Sequence, residues 1–114
     1  ATALPGAVGY EIWRGVSLEG AVAEIRGMAE RDLERAFDES RFRRDKYFLG
    51  ALAGHPGASA VLLERIAGLE DPHLYEAMWS LWDVMGENRK GEPVLALAAR
   101  HPSAPASVKR RAPR

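Results

Sequence analysis

Cysteine is absent from the 114-residue sequence, and this single absence removes several classes of functional site. Without a thiol the chain can form no disulfide, no thiolate zinc site and no cysteine-ligated iron–sulfur cluster, and it has no cysteine nucleophile. The sequence also lacks HExxH, GxSxG, phosphate-binding glycine loops and the dinucleotide-binding fingerprint. We therefore expect a protein that has no cofactor or metal and no enzymatic activity.

Long apolar runs and an excess of one charge sign are missing as well. No uninterrupted apolar stretch approaches the roughly 20 residues of a membrane-spanning helix, and the amino terminus lacks a basic segment followed by an apolar one. We expect a soluble, cytoplasmic protein without a membrane partner. The 16 basic and 16 acidic residues sum to zero formal charge, which disfavours a generally basic protein that coats nucleic acid.

The composition that remains is that of a folded domain. The chain is 46% hydrophobic and 28% charged, close to the average for globular proteins, and its length suits one domain over residues 1–114. No segment shows the alternation of a strand, so the predicted class is all-α. Residues 1–16 contain Pro5 and three glycines and are predicted to form an irregular lead-in.

The longest amphipathic pattern follows Ser17, a residue type that caps helices. Apolar residues then recur at steps of three and four, which predicts one capping helix of about five turns over 17–38. Gly20 and Gly27 lie inside it, and each costs up to about 1 kcal/mol of helix stability relative to alanine. The apolar positions are Leu18, Val22, Ile25, Ala29, Leu33 and Phe37.

Capping residues, prolines and glycines divide the rest of the chain into further helices, about six in all. One helix is predicted directly after Ser40, with a run of basic residues in its first turn. His55-Pro56 and His101-Pro102 each end a helix, because proline lacks an amide donor and disfavours helical geometry at the preceding residue. The remaining helices are predicted over 59–67, 72–85, 92–100 and 105–112.

The chain repeats itself at an offset of 46 residues. Residues 52–60 align with residues 98–106, and each copy reads as a helix, a His-Pro break, a turn of small residues and a short helix. Such repetition is the signature of a helical solenoid, in which no unit buries its apolar face alone. We therefore predict a short, solenoid-like helical-repeat domain, with the repeats in residues 41–112.

The first copy contains Leu52-Ala53-Gly54-His55-Pro56, followed by Leu63-Glu64-Arg65-Ile66-Ala67. In this pattern the chain resembles the leucine-rich repeat variant family over residues 47–112, although the second copy departs after Val108. The resemblance implies alternating α- and 3₁₀-helices in a right-handed superhelix, with a concave surface for another macromolecule. The cysteine-ligated iron–sulfur cluster of at least one relative cannot transfer, because this chain has no cysteine.

The predicted helix over 72–85 is the most apolar in the chain. Its aromatic and methionine side chains recur at helical spacing, a pattern that is most often core but that also supplies anchors at protein interfaces. We treat this stripe as the candidate partner-binding surface, for another protein or for a second copy in a homodimer. It consists of Tyr75, Met78, Trp79, Trp82 and Met85.

Basic residues are concentrated in two short clusters. The first cluster is Arg41, Arg43, Arg44 and Lys46, and the second is Lys109, Arg110 and Arg111. A solenoid that brought the clusters together would present them to phosphates. The structural interpretation is that each cluster is a solvated helix end or a frayed terminus.

The three histidines have both functional and structural interpretations. His55 and His101 are compatible with a metal pair or with acid–base groups. However, they stand at equivalent positions of the repeat, where a ring that caps the last carbonyls of a helix explains them as well. His73 lies among acidic residues without metal-ligand spacing, and we interpret all three as structural or solvated.

These patterns together predict a non-enzymatic protein–protein interaction module on a helical-repeat scaffold. The alternative function is nucleic-acid binding through the two basic clusters. Salt dependence separates the two, because phosphate binding weakens steeply as salt rises.

Overall fold

The structure is a computed structural model that describes residues 17–78 and 91–111. Within these residues the chain forms six α-helices, one 3₁₀-helix and no strand, so the all-α prediction is confirmed there. No helix among them is long and apolar enough to cross a membrane. The helices are α1 (Leu18–Arg26), α2 (Glu30–Glu39), α3 (Lys46–Gly54), α4 (Ala60–Ala67), the 3₁₀-helix (Pro72–Tyr75), α5 (Val94–Arg100) and α6 (Ala106–Arg111).

The segment predicted as one helix over 17–38 forms two helices, α1 and α2. Ser17 caps α1 as predicted, but the helix ends before Gly27, and Ala29 takes an extended conformation that starts α2. Glycine is a poor helix former, and burial of the Met28 side chain anchors the turn in the core. The apolar period continues across the break because both helices bury one face in the same core.

Helix α3 begins at Lys46 and not directly after Ser40. Its cap is Asp45, whose carboxylate accepts hydrogen bonds from two amides of the first turn. The Ser40 hydroxyl instead accepts a hydrogen bond from the amide of Phe42 at 3.0 Å. Residues 41–44 therefore precede the helix, which keeps their positive charges out of its first turn, where the dipole would oppose them.

The helix predicted over 72–85 is not formed in the part of this segment that the structure describes. The 3₁₀-helix covers its first four residues, and the next residue, Glu76, is extended. The amide of Met78 then donates to the carbonyl of Gly91 at 2.8 Å. In an α-helix this amide would donate to the carbonyl of Leu74, four residues earlier. The tertiary hydrogen bond to Gly91 takes its place, and the helix does not continue. Residues 79–85 lie outside the described residues, as does the predicted lead-in over 1–16.

The helices pack in two layers. Helix α3 lies between α1 and α5 and contacts both of them. On the other side, α4 contacts α3 and α5, and α6 contacts α4 and α5. Side-chain hydrogen bonds join α2 to α4 and α4 to α6, so these three helices form the second layer.

The core lies between the two layers, and α3 is its central element because residues 48–53 are all buried. Helix α3 is thus central among the described residues, whereas the segment over 72–85, predicted to be the most apolar helix, is described only as far as Met78. The largest fully buried side chains are Ile25, Leu33, Phe48, Leu49, Leu52, Leu62, Leu63, Ile66, Leu74, Met78 and Leu95.

Candidate binding groove

A groove of about 450 Å³ crosses the C-terminal ends of α1, α3 and α5 and the two His-Pro turns. The middle helix contributes only small residues to it, namely Gly50, Ala51, Ala53 and Gly54. Because these side chains are short, the surface of α3 is recessed between its two neighbours. The recess is therefore a direct consequence of the glycines and alanines in the sequence of α3.

Two arginines flank the recess, Arg26 from α1 and Arg100 from α5. Both side chains are exposed, and Arg100 binds Glu92 through an ion pair of 2.9 Å. Their positions in the last turns suit them, since cations are stabilised at the negative end of a helix dipole. Among the described residues that line the groove, none is acidic.

His55, at one wall of the groove, is bonded to backbone through both ring nitrogens. Nδ1 accepts a hydrogen bond from the amide of Gly57 at 2.8 Å, and Nε2 lies 2.7 Å from the carbonyl oxygen of Met28. An amide only donates and a carbonyl only accepts, so the ring carries its hydrogen on Nε2. This arrangement leaves neither nitrogen for a metal or for proton transfer.

His101 repeats this arrangement 46 residues later. Nδ1 accepts from the amide of Ser103 at 2.9 Å, and Nε2 donates to the carbonyl of His55 at 2.7 Å. The first layer consists of α1, α3 and α5. The His55 ring thus binds a carbonyl just after the end of α1, and the His101 ring binds one just after the end of α3. Neither ring caps the carbonyls of the helix that it follows. Within residues 17–78 and 91–111 no group of three potential ligands could hold a metal ion.

The third histidine belongs to a small polar cluster at the surface. Glu76 binds Lys46 Nζ at 3.0 Å and His73 Nδ1 at 2.8 Å, and Lys46 also donates to the carbonyl of Ala77 at 3.2 Å. The hydrogen bond from Lys46, followed by that from His73, lowers the pKa of Glu76 below its ordinary value. The cluster ties the segment after the 3₁₀-helix to the start of α3.

The candidate aromatic stripe is only partly described by the structure. Tyr75 is 51% exposed and Met78 is fully buried. Because the backbone is extended at Glu76, these two residues do not share a helical face. Trp79, Trp82 and Met85, the other members of the stripe, lie outside the described residues.

The first basic cluster lies in the turn before α3. Arg41, Arg43 and Arg44 are exposed, and Arg43 donates to the carbonyl of Asp38 at 2.9 Å. The fourth member, Lys46, is half-buried and is engaged by Glu76. Among these four residues, Lys46 therefore has a carboxylate partner, and it comes from the segment that follows the 3₁₀-helix.

The second basic cluster lies on α6. Lys109 and Arg110 are exposed there. Arg111 donates to the carbonyl of Ala67 at 2.8 Å and lies 3.8 Å from a carboxylate oxygen of Glu70. Both clusters thus make internal contacts, the first through Arg43 and Lys46 and the second through Arg111, with different segments of the chain.

The groove itself was missed in the sequence pattern. Its only signal there was the spacing of small residues in α3, at Gly50, Ala51 and Gly54. That spacing is ambiguous, because small residues also permit close packing of helices. Comparison of the chain with protein-family models, curated proteins and solved structures gives no match, so its function is argued from the geometry of the groove.

Proposed function

We propose that this chain is a non-enzymatic protein–protein interaction module whose scaffold is a short helical repeat, and that the groove holds an extended segment of the partner protein. The groove carries this proposal. It is a recessed surface whose floor consists of small residues; Gly54 is the exposed one, and a glycine lets another chain approach its backbone closely. Stacked helix pairs characteristically present extended surfaces of this kind to their partners.

The histidine contacts support a repeat scaffold. His101 binds the carbonyl of His55, 46 residues earlier, and His55 binds the carbonyl of Met28, 27 residues earlier. Met28, His55 and His101 then occupy the same position in three successive units. In this assignment α1 and α2 form the first unit, which replaces the single capping helix expected over 17–38.

The core follows the same offsets of 27 and 46 residues. Val22, Leu49 and Leu95 are all buried, and so are Ile25, Leu52 and Ala98. Each set comes from α1, α3 and α5. If each unit repeats the same structure, its first helix should bury the same positions in every unit, and these two sets of residues do so.

The second helices of the units are linked in a similar way. Arg65 of α4 donates to the carboxylate of Asp38 in α2, which lowers the pKa of that carboxyl group. Arg111, at the position of α6 equivalent to Arg65, reaches back to the carbonyl of Ala67. The proposed scaffold differs in one respect from what the resemblance to the leucine-rich repeat variant family implies. The second helix of each unit is an α-helix (α2, α4 and α6), and the one 3₁₀-helix among the described residues, Pro72–Tyr75, follows the second unit.

A substitution at Gly54 tests the groove directly. Gly54 lines the groove, and a Cβ atom added there meets no atom within 4 Å, so we expect Gly54→Met to place its side chain in the groove with little effect on stability. Gly27→Met is the matched control, because Gly27 also has open space at its Cβ, is exposed and does not line the groove. Both proteins are checked for an unchanged thermal midpoint before binding is measured.

Random peptides displayed on phage are selected against the native protein, and the recovered sequences are synthesised for titration. We expect binders whose affinity falls at least tenfold with Gly54→Met and is unchanged with Gly27→Met. Binders indifferent to Gly54→Met, or none at all, would overturn the proposed use of the groove. A parallel titration with single-stranded DNA and RNA tests the alternative. Tight binding that weakens steeply with salt and is lost in a Lys109→Gln and Arg110→Gln double variant would replace our proposal with nucleic-acid binding.

A further inference from the structure

We infer that the segment held in the groove is acidic, an extended peptide that carries two carboxylates, one for Arg26 and one for Arg100. This inference rests on the proposed function, since it names the chemistry of the segment that the groove binds. It concerns the two walls of the groove, whereas the proposed function depends on its recessed floor.

The charge of the groove favours carboxylates. Arg26 and Arg100 stand on opposite walls, and none of the described residues between them is acidic. The histidines of the groove direct both ring nitrogens to backbone groups, so they do not compete for the ligand. A guanidinium group binds a carboxylate through two parallel hydrogen bonds, so each arginine specifies the geometry of its partner as well as its charge.

Glu92 shows that Arg100 accepts a carboxylate in its present position. Its Oε1 lies 2.9 Å from Nε of Arg100, with the two side chains 29% and 53% exposed. An ion pair at the surface is weak and exchangeable, so a carboxylate from a partner can replace that of Glu92. In the free protein Glu92 then acts as a stand-in for the ligand at one wall.

The width of the groove sets the spacing of the two carboxylates. Packed helices lie about 8–10 Å apart, so α1 and α5, with α3 between them, are separated by about 16–20 Å. Extended chain advances about 3.3 Å per residue, so about five or six residues cross this distance. The arginine side chains reach inward and shorten it. We therefore expect two acidic residues about four to six positions apart.

The test uses the peptides selected on the native protein and measures their affinity for charge variants. Arg26→Gln and Arg100→Gln should each weaken binding by about tenfold, as expected for loss of a charged hydrogen bond. Glu92→Gln should strengthen binding several-fold, because it releases Arg100. Arg110→Gln is the control for net charge, since Arg110 is exposed on α6 and does not line the groove.

The outcomes separate this inference from the proposed function. Acidic pairs among the selected peptides, together with loss of affinity in both arginine variants, would support it. Peptides that are sensitive to Gly54→Met but carry no acidic residues and bind both arginine variants as tightly as the native protein would overturn it, while the protein-interaction function stands. A failure to recover any peptide sensitive to Gly54→Met would overturn both. Circular dichroism melts of each variant exclude unfolding as the cause.

Discussion

The imidazole of His101 donates a hydrogen bond from Nε2 to the backbone carbonyl of His55 at 2.7 Å, across 46 residues of sequence. The residue is nearly buried, with an exposed fraction of 7%. His55 makes the corresponding bond to the carbonyl of Met28. His55 and His101, which are compatible with a metal pair in the sequence, therefore use their rings to join the ends of α1, α3 and α5 by hydrogen bonds.

Replacing His101 with alanine removes two hydrogen bonds from a nearly buried position. It leaves the His55 carbonyl and the Ser103 amide without this side-chain partner. We expect a loss of about 1–3 kcal/mol in the free energy of unfolding, measured by urea denaturation. His73→Ala is the control, because that side chain is 64% exposed. Equal midpoints for the two variants would contradict the connecting role of His101.

Gly57 is required by a close approach to α2. A Cβ atom at this position would lie 2.6 Å from Cβ of Glu30, which is too near the backbone to move aside easily. We expect Gly57→Ala to cost about 1–3 kcal/mol of stability through overpacking. Gly54→Ala, where the added atom meets open space, should instead be neutral or slightly stabilising. The thermal midpoint should therefore fall for Gly57→Ala and stay the same or rise slightly for Gly54→Ala. An equal change of midpoint in both variants would contradict this account.

Asp45 determines where α3 begins. Its carboxylate accepts from the amides of Tyr47 and Phe48 at 2.8 and 3.3 Å. Asp45→Ala should lower the free energy of unfolding by about 1 kcal/mol, since two amides of the first turn lose their cap. Asp45→Asn retains a side-chain oxygen and should keep most of the stability. If both variants lose the same amount in urea denaturation, capping is not the source of the effect.

The contact between Lys46 and Glu76 predicts a dependence of stability on pH. The pKa of Glu76 is lowered from 4.5, chiefly by the hydrogen bond from Lys46. A carboxyl group with a lower pKa in the folded state stabilises the protein above its unfolded pKa, and this contribution is lost as the pH falls through the folded value. Glu76→Gln should therefore flatten the fall in thermal midpoint on the acid side of about pH 4.5.

The control for this effect is a second variant. In a Lys46→Met background, Glu76 lacks its main partner, so adding Glu76→Gln should change the acid slope less than it does in the native protein. An equal change in both backgrounds would show that the slope arises elsewhere. The measurement is the thermal midpoint between pH 3 and pH 7 for the four proteins.

Local signals in the sequence predicted several boundaries correctly. Ser17 and Asp71 cap helical segments through their side chains, as their residue types indicate, whereas Ser59, which was predicted to lie inside a helix, is the cap of α4. The His-Pro pairs end α3 and α5 as proline chemistry requires. These boundaries depend on hydrogen bonds between residues two or three positions apart, so they can be recognised from neighbouring residues alone.

The errors had two different causes. The helix expected after Ser40 begins later because Asp45 caps it, through local hydrogen bonds that the sequence interpretation missed. The helix after Pro72 stops at Glu76, where Lys46 and Gly91 hold the backbone of residues 76–78. Helical periodicity is a property of a single segment, and it contains no information about which distant partner will capture an amide or a carbonyl.

The sequence by itself determined the helical class, the caps, the His-Pro breaks and the offset of 46 residues, because each depends on residue type and local spacing. Only the tertiary structure showed that α3 is the central helix and that its small residues are recessed between Arg26 and Arg100. The same holds for the connecting role of His55 and His101. A groove between helices depends on which helices become neighbours, and that follows from burial of their apolar faces together, which no single segment encodes.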